Sequence, residues 1–202
     1  MLRNQLRPAL VMTLLLMVIT GIVYPGAVAA VAHVLFPRQA GGSLVLGDDG
    51  RVVGSALIGQ AFTGPSYFHS RPSAAGSGYV GDSSNATNKG PTDRKLADTL
   101  IAQAVDSVVA ADGAVRGQVP SDMVTASASG LDPDISPANA ELQVARVARA
   151  RHAEPDRIRA LVAAHTAGRQ FGLFGEPRVK VLLLNLAVDS AFPLPAAPPA
   201  AH

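Results

Sequence analysis

Residues able to do chemistry are few and scattered along this chain. Histidines stand at positions 33, 69, 152, 165 and 202. None of their spacings is H-x-x-x-H or H-E-x-x-H, the patterns that put two imidazoles on one helical face, so no zinc centre is predicted. There is no cysteine, which removes disulfides, thiolate metal sites and a thiol nucleophile. Asn88-Lys89-Gly90 lacks the preceding glycine and following hydroxyl of a phosphate-cradling loop, and no G-x-S-x-G elbow occurs. The reading is therefore of a chain with no catalytic residues, no metal site and no cofactor of its own.

Two stretches remain. Val124 to Pro137, V-T-A-S-A-S-G-L-D-P-D-I-S-P, leads small hydroxyl residues and a glycine into a helix start. Free N–H groups and partial positive charge at a helix N-terminus suit an anion. The simpler reading is that these hydroxyls brace a tight turn and Ser136 caps its own helix, since Asp132 and Asp134 would repel phosphate. Arg146, Arg149, Arg151, Arg157 and Arg159 form a basic cluster. Its default reading is a solvated face, and its alternative is contact with acidic loops of a partner or with lipid headgroups.

The elements that must position these residues form an α+β architecture with one membrane span. Ser43 to Leu46 and Val52 to Ile58 flank Gly47-Asp48-Asp49-Gly50 and read as a hairpin. Residues 59 to 91 are rich in Gly, Pro, Ser and Asn, yet carry Phe62, Tyr67, Phe68 and Tyr79. An ordered irregular segment packed by its aromatics is expected, centred on Tyr67 to Ser73. Leu96, Leu100, Ala104 and Val108 recur every four residues, so Asp93 to Ala111 reads as an amphipathic helix, capped by Thr92 or Asp93 and ended by Asp112-Gly113. Ser136-Pro137 opens a second helix to about Arg151, and Pro155 a third, closed by Gly168. Val179 to Val188 reads as a late strand closing a mixed sheet, and Phe192 to His202 as a disordered Pro/Ala tail.

The N-terminal stretch sets the compartment. From Ala9 to Ala32 no residue is charged, and as a helix these residues would reach roughly 36 Å, enough for a hydrocarbon core of about 30 Å. Hydrophobic residues make up 48% of the 202 and the mean hydropathy is +0.24, which suits one span plus one domain. A cleavable signal ending at Ala27-Val28-Ala29 is the alternative, although the apolar run continues to Phe36. Arg3 and Arg7 precede the span and only Arg38 closely follows, which predicts a cytoplasmic N-terminus. The expected layout is a cytoplasmic segment 1–8, a transmembrane helix 9–35, an extracytoplasmic domain 37–190 and a tail 191–202. Pro25-Gly26 removes a backbone donor inside the span, to be offset by a partner helix, Thr20 or Thr13, or else accepted as a mild kink with Tyr24 at the outer interface. The net charge is +2 with no tract of like charges, so nothing calls for nucleic acid.

Taken together the blocks resemble a known family, the C subunit of the Kdp potassium pump (KdpC). They are Thr20 to Pro25, Gly42-Ser43-Leu44, Val53 to Phe62, Tyr67 to Ala74, Ser84-Asn85, Gly90-Pro91-Thr92, Thr125 to Pro137, Gln143 to Ala148 and Gly175 to Val179. The likeness runs from about residue 5 to 189. Lys180 departs from it, standing where an R-V-N-V-L block has Asn, and the Pro/Ala tail is not a family feature.

The resemblance implies a four-subunit inner-membrane complex for high-affinity potassium uptake. Its other members are a channel-like potassium-binding subunit, a P-type ATPase subunit that holds the catalysis, and a very small single-span subunit. This chain would be a non-catalytic accessory subunit, its span, marked by Ala9, Tyr24, Pro25 and Ala32, lying in the lipid bilayer. The family is described as a catalytic chaperone raising the pump's ATP affinity, with nucleotide contacts that fall here on Ser127, Ser129, Gly130 and Gln143. ATP would then belong to the complex and not to this chain alone. Tyr67, Phe68, His69, Arg71, Arg146 and Arg149 are the candidate partner contacts. An outward-facing domain meets essentially no ATP across about 30 Å of hydrocarbon, so the topology favours instead an extracytoplasmic cap over the potassium entrance. A free exported solute-binding protein is the third class, which a cleaved signal would support.

Overall fold

The structure, a computed structural model, describes residues 2–47 and 49–194. The chain divides into two compact units, Met1–Ser55 and Ala56–His202.

In the first unit α1 (Leu2–Val18), a π-helical segment (Ile19–Val23) and α2 (Tyr24–Leu35) run as one helix. From Asn4 to Leu35 it is long and apolar enough to cross a membrane, and none of its most apolar stretch is buried. The wide turn has a cause in the sequence. A proline ring clashes with the carbonyl four residues back and brings no N–H, and Pro25 lies just past the π segment. There the Tyr24 N–H reaches five residues back to the Ile19 carbonyl, which opens the turn around the ring. The Thr20 hydroxyl donates to Leu16 O at 2.7 Å, so it braces the turn below and does not replace the donor that proline lacks. After α3 (Pro37–Ala40), β1 (Leu44–Leu46) and β2 (Val52–Ser55) pair antiparallel with an irregularity between Val45 and Leu46. This is the expected hairpin. Asp48 of its turn lies outside the described residues.

The second unit begins with the irregular segment 56–94, ordered by its aromatics as expected: Phe68 is fully buried, and the Tyr79 hydroxyl donates to Arg71 O at 2.6 Å. A second π segment (Lys95–Ile101) then leads into α4 (Ala102–Asp112). Asp93 caps it, Oδ1 accepting the Leu96 N–H at 2.9 Å, and Gly113 ends it in the left-handed conformation. The expected four-residue stripe holds at Leu96, Ala104 and Val108, which are half-buried, and fails at Leu100, which falls in the wide turn. Leu100 is exposed, while Ile101, Val105 and Val108 are half-buried.

α5 (Ser121–Val124) and β3 (Asp134–Ile135) precede α6 (Pro137–Ala150), which starts at Ser136 as read from the sequence. The Ser136 side chain accepts the Asn139 N–H at 3.1 Å, and the Asp122 carboxylate takes the Ser136 N–H, the Ser136 hydroxyl and the Asn139 side-chain amide at 2.8–2.9 Å. α7 (Pro155–Ala164) ends before Gly168, at a His165 cap, and β4 (Thr166–Ala167) follows at once.

The late strand is the main correction. Only Arg178–Lys180 is β5, and from Val181 to Ala191 the chain is α8. An unbroken apolar run cannot be divided between strand and helix by periodicity alone. Here Val181, Leu182, Leu184, Asn185 and Val188 are buried, and Val181, Leu184, Asn185 and Val188 among them follow a helical spacing. Nor is the sheet mixed: β5 lies between β3 and β4, antiparallel to both, and the hairpin is a separate sheet. The core joins Phe68, Ile135, Val144, Val147, Ile158, Val179, Leu184 and Val188. Phe192 packs against it and its carbonyl accepts from Arg151 at 3.0 Å, so the first residue of the expected disordered tail is fixed. Residues 195–202 of that tail lie outside the described residues.

Candidate functional site

Tyr67, Phe68 and His69 run against the core outside any strand. A buried backbone must still find hydrogen bonds, and two side-chain amides supply them. Asn185 of α8 accepts the Phe68 N–H at 2.8 Å and donates to the Phe68 carbonyl at 2.9 Å. Gln143 of α6 does the same for His69, at 2.7 Å and 3.2 Å. Each amide thus imitates the neighbouring strand that a sheet would provide. Gln143 is 1% exposed and uses its remaining capacity on Asn139 Oδ1 at 2.7 Å and on the Arg146 guanidinium at 2.6 Å.

The arginine cluster divides: Arg149, Arg157 and Arg159 are the exposed face expected, and Arg146 and Arg151 are not. Arg146 is buried, bonded to Asp112 at 2.7 Å, to Pro65 O at 2.7 Å and to Tyr67 O at 2.9 Å. Arg151 is buried too, reaching Ser66 O at 2.9 Å and Asp189 at 2.6 Å, with its guanidinium over the Tyr67 ring at 4.8 Å. The two guanidiniums satisfy the carbonyls that the irregular segment leaves unpaired. Arg149, Arg157 and Arg159 are exposed. Arg157 lies over the Phe192 ring and Arg159 pairs with Glu141 and Asp156. Among the described residues Arg149 has no ion-pair partner. Burial, and next the positive Arg146 beside it, hold the His69 imidazole below its ordinary pKa.

Ser127, Ser129 and Gly130 lie elsewhere in the same unit. The Ser127 hydroxyl accepts the Gly130 N–H at 2.9 Å and the Ser129 hydroxyl the Leu131 N–H at 3.1 Å. Ser129 O accepts from Asn85 and Ser84, and Gly130 O accepts the Ser73 hydroxyl at 2.6 Å. Gly130 has φ +67°, and a Cβ there would come within 2.7–2.8 Å of Ala75 and Asn85, so the position requires glycine. Arg71 spans the region, bonded to Asp132 at 2.9 Å.

Gln143 lines one cleft, of about 320 Å³, with His69, Ser70, Ser107 and Asp112. Ser127 and Ser129 line another, of about 620 Å³, with Leu57, Arg71 and Asp132. Gly130 lines neither. The four residues that the resemblance assigns to a nucleotide are therefore not gathered around one cavity. Of the candidate partner contacts, Phe68 and Arg146 are buried, Tyr67, His69 and Arg71 are half-buried, and Arg149 is exposed. The clamping roles of Asn185, Asn139, Asp112 and Arg151 escaped the sequence reading. The one available signal was an Asn in the midst of the apolar Val181–Leu186 run.

The family model described as K+-transporting ATPase, c chain, matches residues 6–190. Proteins named potassium-transporting ATPase KdpC subunit align over nearly the whole chain. That of Gemmatimonas aurantiaca is 63% identical over 188 residues, 93% of this chain and 93% of its own. Those of Rhodospirillum rubrum and Koribacter versatilis are 54% and 48% identical, covering 95% and 96% of this chain and 98% of each relative. With the match spanning both the apolar helix and the clamped domain, the chain belongs to the KdpC family, the c chain of the K+-transporting ATPase.

Proposed function

We propose that the chain is a single-span, non-catalytic accessory subunit of an ATP-driven potassium uptake complex, and that its domain caps the outer face of the pump. The span anchors it beside the channel-like subunit, and catalysis rests with a separate P-type ATPase subunit. Supporting the assembly role is the family match over residues 6–190, and supporting the anchor is the apolar helix Asn4–Leu35. Arg3 and Arg7, on the N-terminal side of the uncharged run Ala9 to Ala32, favour a cytoplasmic N-terminus, a reading that puts the domain outside. The observation that carries the cap over the nucleotide-contact reading is Gln143. Its amide is spent on His69, Asn139 and Arg146, in a different cleft from Ser127 and Ser129, so a ligand reaching it must first break the clamp.

The chain has no cysteine, so accessibility can be read without background. Ser107→Cys is expected to react with an impermeant thiol reagent in intact cells once the outer membrane is opened, and Asn4→Cys only after lysis. Labelling of Asn4→Cys alone in intact cells would overturn the topology.

A further inference from the structure

β1 and β2 pair with each other in a two-stranded sheet. A lone hairpin is at best marginally stable in water and needs a surface to pack against. This one has two unlike faces. Val45 is 9% exposed, whereas Leu44 and Leu46, which alternate with it, are 50% and 61% exposed. Val52 stands opposite Leu46 in the ladder, so it shares the outer face, and it is 57% exposed. Single exposed apolar residues are ordinary, but three large ones on one face of so small a sheet mark a contact surface.

The backbone fixes where that face lies. Only residues 36–43 separate the end of α2 at Leu35 from the start of β1 at Leu44, and they fold back on themselves. The Gly42 N–H donates to Gln39 O at 3.0 Å and the Ser43 N–H to Arg38 O at 2.9 Å. β1 therefore starts beside Arg38, two positions beyond Phe36. The Ser55 hydroxyl, at the end of β2, donates to Gly42 O at 2.7 Å and ties the second strand to the same corner.

The helix brings that corner to the bilayer boundary. From Ala9 to Phe36 the chain carries no Asp, Glu, Lys or Arg. As a helix these residues cover about 42 Å, against a hydrocarbon core of about 30 Å. An apolar run that is too long tilts and so keeps its ends immersed. Val34, Leu35 and Phe36 are exposed in the chain, and lipid at the interface is the cover that a span gives them. The strand-joining turn is polar, with Arg51 paired to Asp49, so the hairpin meets lipid by its apolar side and not by its tip.

We propose that the hairpin is an interfacial membrane contact, its Leu44/Leu46/Val52 face lying on the boundary between headgroups and acyl chains, where it sets the depth at which the span ends. This rests on the single-span reading above, but not on which side of the membrane the domain occupies.

The full chain, carrying a nitroxide on one introduced cysteine, is assembled with its pump subunits in lipid vesicles. Having no cysteine of its own, it takes a single label. Collisions with oxygen, which concentrates in lipid, are compared with those of a water-soluble nickel chelate. Oxygen is expected to dominate at Leu46→Cys and the chelate at Arg51→Cys. Adding Leu46→Asp is expected to turn a label at Leu44→Cys from oxygen-dominated to chelate-dominated. A chelate-dominated label at Leu46→Cys, or one that neither reagent reaches because protein covers it, would overturn the contact. So would an unchanged Leu44→Cys signal in the Leu46→Asp chain. A label at Leu14→Cys, inside the apolar helix, separates the two readings: if the chelate reaches it the span itself fails, whereas a lipid-buried label there with an aqueous one at Leu46→Cys removes only the hairpin contact.

Discussion

At the scale of single residues, the domain relies on side chains that stand in for missing backbone. Gln143→Ala leaves the His69 N–H and part of the Arg146 guanidinium without partners, and an orphaned buried group costs about 1–3 kcal/mol. The expected result is a matching loss of unfolding free energy in denaturant titration, with the ATP requirement of any complex that still assembles unchanged. A selective rise in that requirement with normal stability would instead favour nucleotide contact. His69 adds a pH dependence. Its folded pKa lies below the value of about 6.5 in an unfolded chain, so over that window the unfolded state binds more protons and stability falls as pH falls. The His69 contribution is complete above about 6.5 and is lost on acidification toward the folded pKa. Denaturant midpoints at pH 7.5 and 5.5 are expected to differ less in His69→Gln than in the parent chain.

Among the elements, the Ser127 to Asp134 turn shows why small residues crowd there. Ser127 and Ser129 hold its N–H groups, Ser73 and Ser84 cap its carbonyls, and β3 leaves it to join β5. Gly130→Ala combines positive φ with overlap against the Ala75 and Asn85 backbones. The expected loss is at least about 1–3 kcal/mol from the strained backbone alone, read as a lowered thermal midpoint. Ser129→Ala removes an exposed hydroxyl that accepts the Leu131 N–H, and its effect should be within about 1 kcal/mol. Equal losses in the two variants would count against a glycine-specific constraint. The π segments act at this scale too. The one below Pro25 makes room for a ring, while the one before α4 turns Leu100 outward and brings Ile101 in.

For the whole molecule, docking of the domain is best probed where folding is not disturbed. Arg146 pairs with Asp112 in the interior, their side chains 6% and 3% exposed, and removing one partner of such a pair costs about 3–5 kcal/mol. Charge reversal at Arg146 therefore reports on folding. Arg149 is exposed on the same helix. Arg149→Glu is expected to change stability by no more than about 0.5 kcal/mol, and to weaken retention of the domain on the pump in a manner that fades as salt rises. Salt-independent retention identical to that of the parent would show that Arg149 is not at the interface.

The sequence by itself determined the long apolar helix, the hairpin, the ordered aromatic segment and the start of α6, because each follows from local rules. Those rules are an uncharged apolar run, a turn cluster between β-prone residues, aromatics too frequent for a linker, and a Ser-Pro cap. It also carried the family likeness through its short blocks. Only the tertiary structure decided where the apolar run after Val179 turns from strand to helix, since an unbroken apolar run shows no period in the sequence. Only the fold, likewise, separated Arg146 and Arg151 from Arg149. The three differ in position by a few residues and not in chemistry, and their burial depends on carbonyls of residues 65–67, roughly eighty positions away in the chain. The same distance hid the pairing of Gln143 with His69. A side-chain amide can replace a strand only where the fold brings an unpartnered backbone to it, and no local pattern records that meeting.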